Sequence, residues 1–220
     1  MTRLLLTVTA AALLVLLLAQ LVLPRIAANR ISSRVGRYGS VESVSVRAWP
    51  AVELLWGSAD SVTVRAQRLS LSPSQAATLL WEARGVERLQ FGALSVQLGP
   101  LRLGDARLHK QGNSLAAEAV IGEAGVRAAL PKGLAVKLVS SEGEEIQVMA
   151  SGGLFGVGPS VQALAAPREG KLVVRPLGSL LRGLTLTLFS DPHVYVEGVG
   201  AFAQPGSPRT YRVSMRARLR

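Results

Sequence analysis

Residues able to carry acid–base, nucleophilic or metal chemistry are few in this 220-residue chain. Its histidines are His109 and His193, and its aspartates are Asp60, Asp105 and Asp191. Cysteine is absent, which excludes disulfides, thiolate nucleophiles and thiolate metal ligands. There is no G-x-S-x-G, no H-E-x-x-H and no P-loop. Ser190-Asp191-Pro192-His193 collects triad residue types in four positions. Neighbours on one turn do not converge on a common centre, so the stretch reads as a turn. Glu142, Glu144 and Glu145 flank Gly143 and read as a solvated hairpin rather than a calcium site. The glycines of 152–158 lack dinucleotide-binding spacing. The expectation is a protein that is not an enzyme and that has no catalytic residue, metal or cofactor.

Charge is the next signal. Lys and Arg number 25 against 14 Asp and Glu, a net charge of +11, with lysine only at 110, 132, 137 and 171. Such a balance favours anionic partners, lipid headgroups or nucleic acid. An arginine-, alanine- and leucine-rich composition also follows from a GC-rich genome. Aromatic residues are 5% of the chain and do not interleave with the basic runs, so stacking platforms for nucleic acid are missing.

The elements that would position these residues are mostly strands. From Ser40 onward apolar residues recur at every second position, as in Val44/Val46, Val62/Val64, Leu89/Phe91 and Leu94/Val96/Leu98. The phase slips at Gly92-Ala93, as a bulge or tight turn would produce. Tyr211–Leu219 alternates strictly, with Arg212, Arg216 and Arg218 on the polar side. One-sided alternation predicts antiparallel strands with one covered and one wet face. Ser72-Pro73-Ser74-Gln75 is a capping box with proline at the first helical position, which predicts a helix over 73–84 stopped at Gly85. A second short helix is expected over 122–130.

Two connectors are apolar where turns are usually polar. Leu154, Phe155 and Val157 sit among glycines, and Trp49–Gly57 carries Leu54, Leu55 and Trp56. Each either folds back on the core or dips into lipid.

The N-terminus points to a membrane. Leu4–Leu23 is 20 residues without a charge, bounded by Arg3 and by Pro24-Arg25. Roughly 20 helical residues cross a hydrocarbon core of about 30 Å. A cleavable signal peptide is the competing reading, but Leu17-Leu18-Ala19 lacks a small residue at its first position. Residues 25–39 read as a basic juxtamembrane stalk. Arg30, Arg34 and Arg37 share one helical face, and Ile31, Val35 and Tyr38 share another. The basic face suits anionic headgroups or water.

At these residues the chain resembles the LmeA-type phospholipid-binding proteins of actinobacteria and their relatives. The resemblance rests on an ordered set. Val44-Ser-Val46 is followed by Trp49-Pro50, Leu54-Leu55-Trp56-Gly57, Asp60 and Val62-Thr-Val64. Gly122–Leu130 and Ala165–Pro176 follow later. Trp49 stands where phenylalanine is usual, and 205–220 has no counterpart. The resemblance implies a membrane-tethered, extracytoplasmic domain that holds a phospholipid in a fold similar to tubular lipid-binding domains. Flanking arginines, read by the positive-inside rule alone, would put the domain in the cytoplasm, but long domains translocate largely regardless of charge.

The expected fold is α+β: a transmembrane helix over 1–24, the stalk over 25–39, and over 40–220 a curved antiparallel sheet with two short amphipathic helices. An acyl chain would lie against Val62, Val64, Leu69, Phe91, Leu94, Val96, Leu184 and Leu186. Arg30, Arg34, Arg37, Trp56, Leu154 and Phe155 would meet headgroups or membrane. The expected partners are the cell membrane, an anionic phospholipid and an envelope-biogenesis protein, with no nucleic acid. The expected role is envelope lipid handling. The alternative is a structural or assembly factor with a filled core, docking an envelope partner through its basic surface.

Overall fold

Strand alternation dominates the molecule, and the strands form two sheets. A computed structural model describes residues 2–129, 134–142, 144–152, 160–177, 185–206 and 209–220, with the backbone alone described for 2–18, 127–129, 134–136, 140, 142, 150, 152 and 186. Helix α1 spans Thr2–Val35 and leads through a 3-10 turn, Gly36–Tyr38, into β1, Gly39–Arg47. A second 3-10 turn, Ala51–Trp56, joins β1 to β2, Ala59–Leu71. Helix α2, Pro73–Glu82, precedes β3 (Val86–Leu98), β4 (Leu101–Gln111) and β5 (Ser114–Gly122). After α3, Glu123–Ala129, come β6 (Leu134–Glu142), β7 (Glu145–Gly152), β8 (Ser160–Arg168) and β9 (Lys171–Leu177). The chain ends with β10 (Leu186–Phe189), β11 (Val194–Gln204) and β12 (Thr210–Leu219). One sheet has seven strands in the order β1-β2-β3-β4-β5-β12-β11, and the other has five in the order β10-β9-β8-β7-β6.

The α2 boundaries follow from local chemistry. Ser72 accepts from the Gln75 N–H at 3.1 Å, and Gln75 Oε1 accepts from the Ser72 N–H at 2.8 Å. This reciprocal cap satisfies two otherwise unpaired helix-end donors. The expectation of antiparallel strands fails at one place, because β2 and β3 are parallel. Alternation reports which face a residue takes, not which way its strand runs. Parallel neighbours need a long crossover, and α2 supplies it.

The phase slip also differs from expectation. Ala93 is buried, Leu94 and Ser95 both face outward, and Val96 is buried again. On β2 the same step runs Ala66, Gln67, Arg68, Leu69, in register with it. The β4–β5 register shifts between Gly104 and Arg107, and the β1–β2 register shifts between Ser40 and Ser43. Four adjacent strands therefore change phase in one band, which bends the sheet.

The stalk is not separate from the sheet. Ala27, Ala28 and Ile31 of α1 pack on the cluster of Val46, Val62, Val64 and Leu89. Val35 and Tyr38 pack on the cluster of Leu69, Ala93 and Val96. The partly buried side chains of the 25–39 segment thus pack against the core of the 40–220 segment. Among the described residues no helix is long and apolar enough to cross a membrane. Most of the Leu4–Leu23 stretch lies where only backbone is described.

The five-stranded sheet packs on β11. Gly198, Val199, Gly200 and Ala201 are consecutively buried there, so β11 is covered on both faces. Ala201 N–H donates to Ser141 Oγ at 3.0 Å, and Val199 N–H to the Glu144 carbonyl at 3.2 Å.

Candidate functional site

The alternating apolar positions of seven strands meet on one face of the larger sheet. Their register gives two continuous rows. The first runs Val44, Val64, Phe91, Leu108, Ala117, Met215, Val199, each residue directly paired with the next. At a strand spacing of about 4.8 Å, this row is about 29 Å long. The second row runs Val46, Val62, Leu89, Lys110, Leu115, Ala217, Val196.

The rows differ in cover. Every member of the second is buried. Helix α2 lies on its far part, where Ala77 and Leu80 pack against Leu115, Ala217 and Leu219. In the first row Phe91, Leu108, Ala117 and Met215 stay half-buried, on four adjacent strands. A half-buried apolar strip beside a fully buried row can take an apolar ligand without emptying the core.

Lys110 is 3% exposed in the middle of an apolar row. Its Nζ donates to the Val86 carbonyl and, at 3.3 Å, to the Arg84 carbonyl, both just beyond the end of α2. Burial pushes its pKa down, and the charge of Glu87 opposes that shift. Lys110 therefore fastens the α2 exit to the sheet.

The expected lining residues divide. Val62, Val64, Leu69 and Val96 share the inner face, but each is 6% exposed or less and belongs to the clusters that α1 covers. Phe91 is half-buried on the strip. Leu94 is 66% exposed on the opposite face, because the phase changes after Ala93 rather than before it. Leu184 lies outside the described residues, and Leu186 is described by backbone only, paired with Val174. Leu108, Ala117 and Met215 escaped the sequence reading. The alternation of Ala106, Leu108 and Lys110 and of Val213, Met215 and Ala217 carried their signal.

The expected membrane contacts divide too. Arg30 and Arg37 are exposed on α1 and its exit turn. Arg34 instead meets Glu82 at 2.7 Å. Trp56 is 74% exposed, as are its neighbours Trp49 (75%) and Leu55 (70%). In the same connector Ala51 is fully buried and Leu54 packs on the core, so the segment both plugs the sheet end and shows an apolar outer side. Leu154 and Phe155 lie outside the described residues. Ser190–His193 forms a turn, with Asp191 Oδ1 accepting the His193 N–H at 2.9 Å. Among the described residues no cluster of His, Asp or Glu could hold a metal ion.

An apolar face that crosses seven strands and stays half-buried at its centre places the chain among sheet proteins able to hold an apolar ligand. The sequence model of the LmeA-like phospholipid-binding family matches residues 15–217, and the chain belongs to that family. No match is found among curated proteins or among solved structures.

Proposed function

We propose that this protein is a membrane-tethered carrier that holds a phospholipid by its acyl chain on the strip of Phe91, Leu108, Ala117 and Met215. The carrying observation is that these paired residues are half-buried while the parallel row beside them is closed. Membership of a phospholipid-binding family supports the ligand class. The apolar Leu4–Leu23 stretch supports a tether, and the family membership supports a domain outside the cytoplasm with a role in envelope lipid handling. The scarcity of groups suited to catalysis supports binding without turnover.

Native mass spectrometry of the full-length protein, released from mild detergent, tests the reading. A co-purified species with a phospholipid mass is expected, and it should disappear in Ala117→Trp. A parent protein that carries no lipid and extracts none from phosphatidylglycerol vesicles would sink it in favour of the filled-core assembly factor. Topology has its own test: a reporter active only in the cytoplasm, fused after Arg220, should stay silent.

A further inference from the structure

The exposed apolar side chains are not scattered. Trp49, Leu55 and Trp56 lie on the connector between β1 and β2, and α1 packs against that connector. On α1 itself Leu21, Val22 and Ile26 are exposed, just before Ala27 and Ala28 dock on the sheet. Six large exposed apolar groups thus lie on the connector and on the part of α1 just before the helix docks on the sheet. Tryptophan is favoured at a bilayer interface because its ring is apolar and its N–H is polar.

A basic hollow of about 390 Å³ lies at the same end, on the outer face of the sheet. Arg47, the last residue of β1, pairs with Ser61 of β2, which pairs with Arg88 of β3. Two arginines therefore flank one serine on adjacent strands about 4.8 Å apart, and all three line the hollow. Ser45 and Thr63 add hydroxyls beside them. Asp60, which also lines the hollow, accepts the backbone N–H of Trp49 at 2.8 Å, and this ties the hollow to the connector. Paired arginines with hydroxyl donors suit a phosphate oxygen.

We infer that this end of the domain seats on an anionic bilayer surface, with Trp49, Leu55 and Trp56 entering the interface and Arg47 and Arg88 taking a phospholipid phosphate. The inference deepens the tether reading and rests on it. It assigns the headgroup contact to the β1–β2–β3 end rather than to the arginines of α1.

The three tryptophans, at 49, 56 and 81, make the test direct. Full-length protein is reconstituted in phosphatidylcholine vesicles with and without phosphatidylglycerol, some carrying acyl chains brominated near the headgroup. In a Trp81→Phe background, Trp49 and Trp56 should be quenched at least twofold by bromine, more strongly with phosphatidylglycerol present. With both connector tryptophans changed to Phe, Trp81 should stay unquenched. Arg47→Gln/Arg88→Gln should abolish the phosphatidylglycerol increment. Absence of quenching at Trp49 and Trp56 overturns the seating, and an increment that survives the double Gln variant overturns the phosphate site. Resistance to alkaline carbonate reports the tether separately. Extraction with quenching retained rejects the tether and keeps the seating, whereas resistance without quenching does the reverse.

Discussion

Arg34 and Glu82 meet at 2.7 Å and join the C-terminal part of α1 to the end of α2. The two helices that cover the inner face of the large sheet are thereby linked to each other. Arg34 is paired with a protein carboxylate, whereas Arg25, Arg30 and Arg37 are exposed cations of the same stretch.

The pair predicts a small, reciprocal effect. Its side chains are 54% and 43% exposed, so solvent screens the attraction and it contributes about 0.2–1 kcal/mol. Arg34→Glu should cost about that much in thermal denaturation, and Arg34→Glu with Glu82→Arg should recover most of it. A charge swap no more stable than the single variant would show that the contact carries no coupling.

Two tryptophan substitutions separate the open strip from the closed core. Ala117→Trp adds volume where the surface is half-buried, so the fold should persist and lipid should be lost. Val64→Trp adds volume at a site 5% exposed, within the cluster that α1 covers, so it should cost about 1–3 kcal/mol or more. Circular dichroism melts beside lipid counting would check both. Equal destabilisation by the two changes would mean that the strip is as filled as its neighbour row.

Lys110 predicts a pH dependence whose sign is fixed. Burial holds its pKa below the ordinary lysine value in the fold. Between the two values the unfolded chain binds more protons, so stability rises with pH across that window. The penalty is complete below the folded-state pKa and gone above the ordinary one. Lys110→Met should remove the alkaline rise. It should also cost about 1–3 kcal/mol near neutrality, as the Arg84 and Val86 carbonyls lose a donor. Urea denaturation at stepped alkaline pH reads both, and parallel profiles for the two proteins would reject the assignment.

Gly39 predicts a larger loss. It joins the α1 exit to β1 at φ +154°, and a Cβ there would lie 2.0 Å from the Arg68 carbonyl oxygen. Backbone cannot move aside as a side-chain tip can. Gly39→Ala should cost about 1–3 kcal/mol and loosen α1, seen as faster amide exchange at Ala28 and Ile31. A stability change under about 0.5 kcal/mol, the range of an ordinary surface substitution, would contradict the close approach.

Much of this architecture was legible because it is locally encoded. The reciprocal Ser72–Gln75 cap fixes the start of α2, and period-two alternation marks the strands. Three things were not local. The direction of β3 depends on a crossover rather than on its residues. The outward turn of Leu94 depends on four strands changing phase together. The partner of the Ile31, Val35 and Tyr38 stripe was open because an amphipathic helix satisfies a bilayer surface or a sheet with the same residues. Lys110 could have been noticed, since the alternation of Ala106 and Leu108 already put it in an apolar position.

The unbroken course of α1 sets a reach. A loose tether of n residues would let a domain roam about 5–6 Å × √n from its anchor. Here one helix passes from Thr2 to the packed Val35, with only the 3-10 turn Gly36–Tyr38 before β1. If the proposed tether embeds its far end in lipid, such a rod would give the sheet one standoff from the bilayer. Cargo could then be exchanged only with that membrane, or with an acceptor that comes down to meet it.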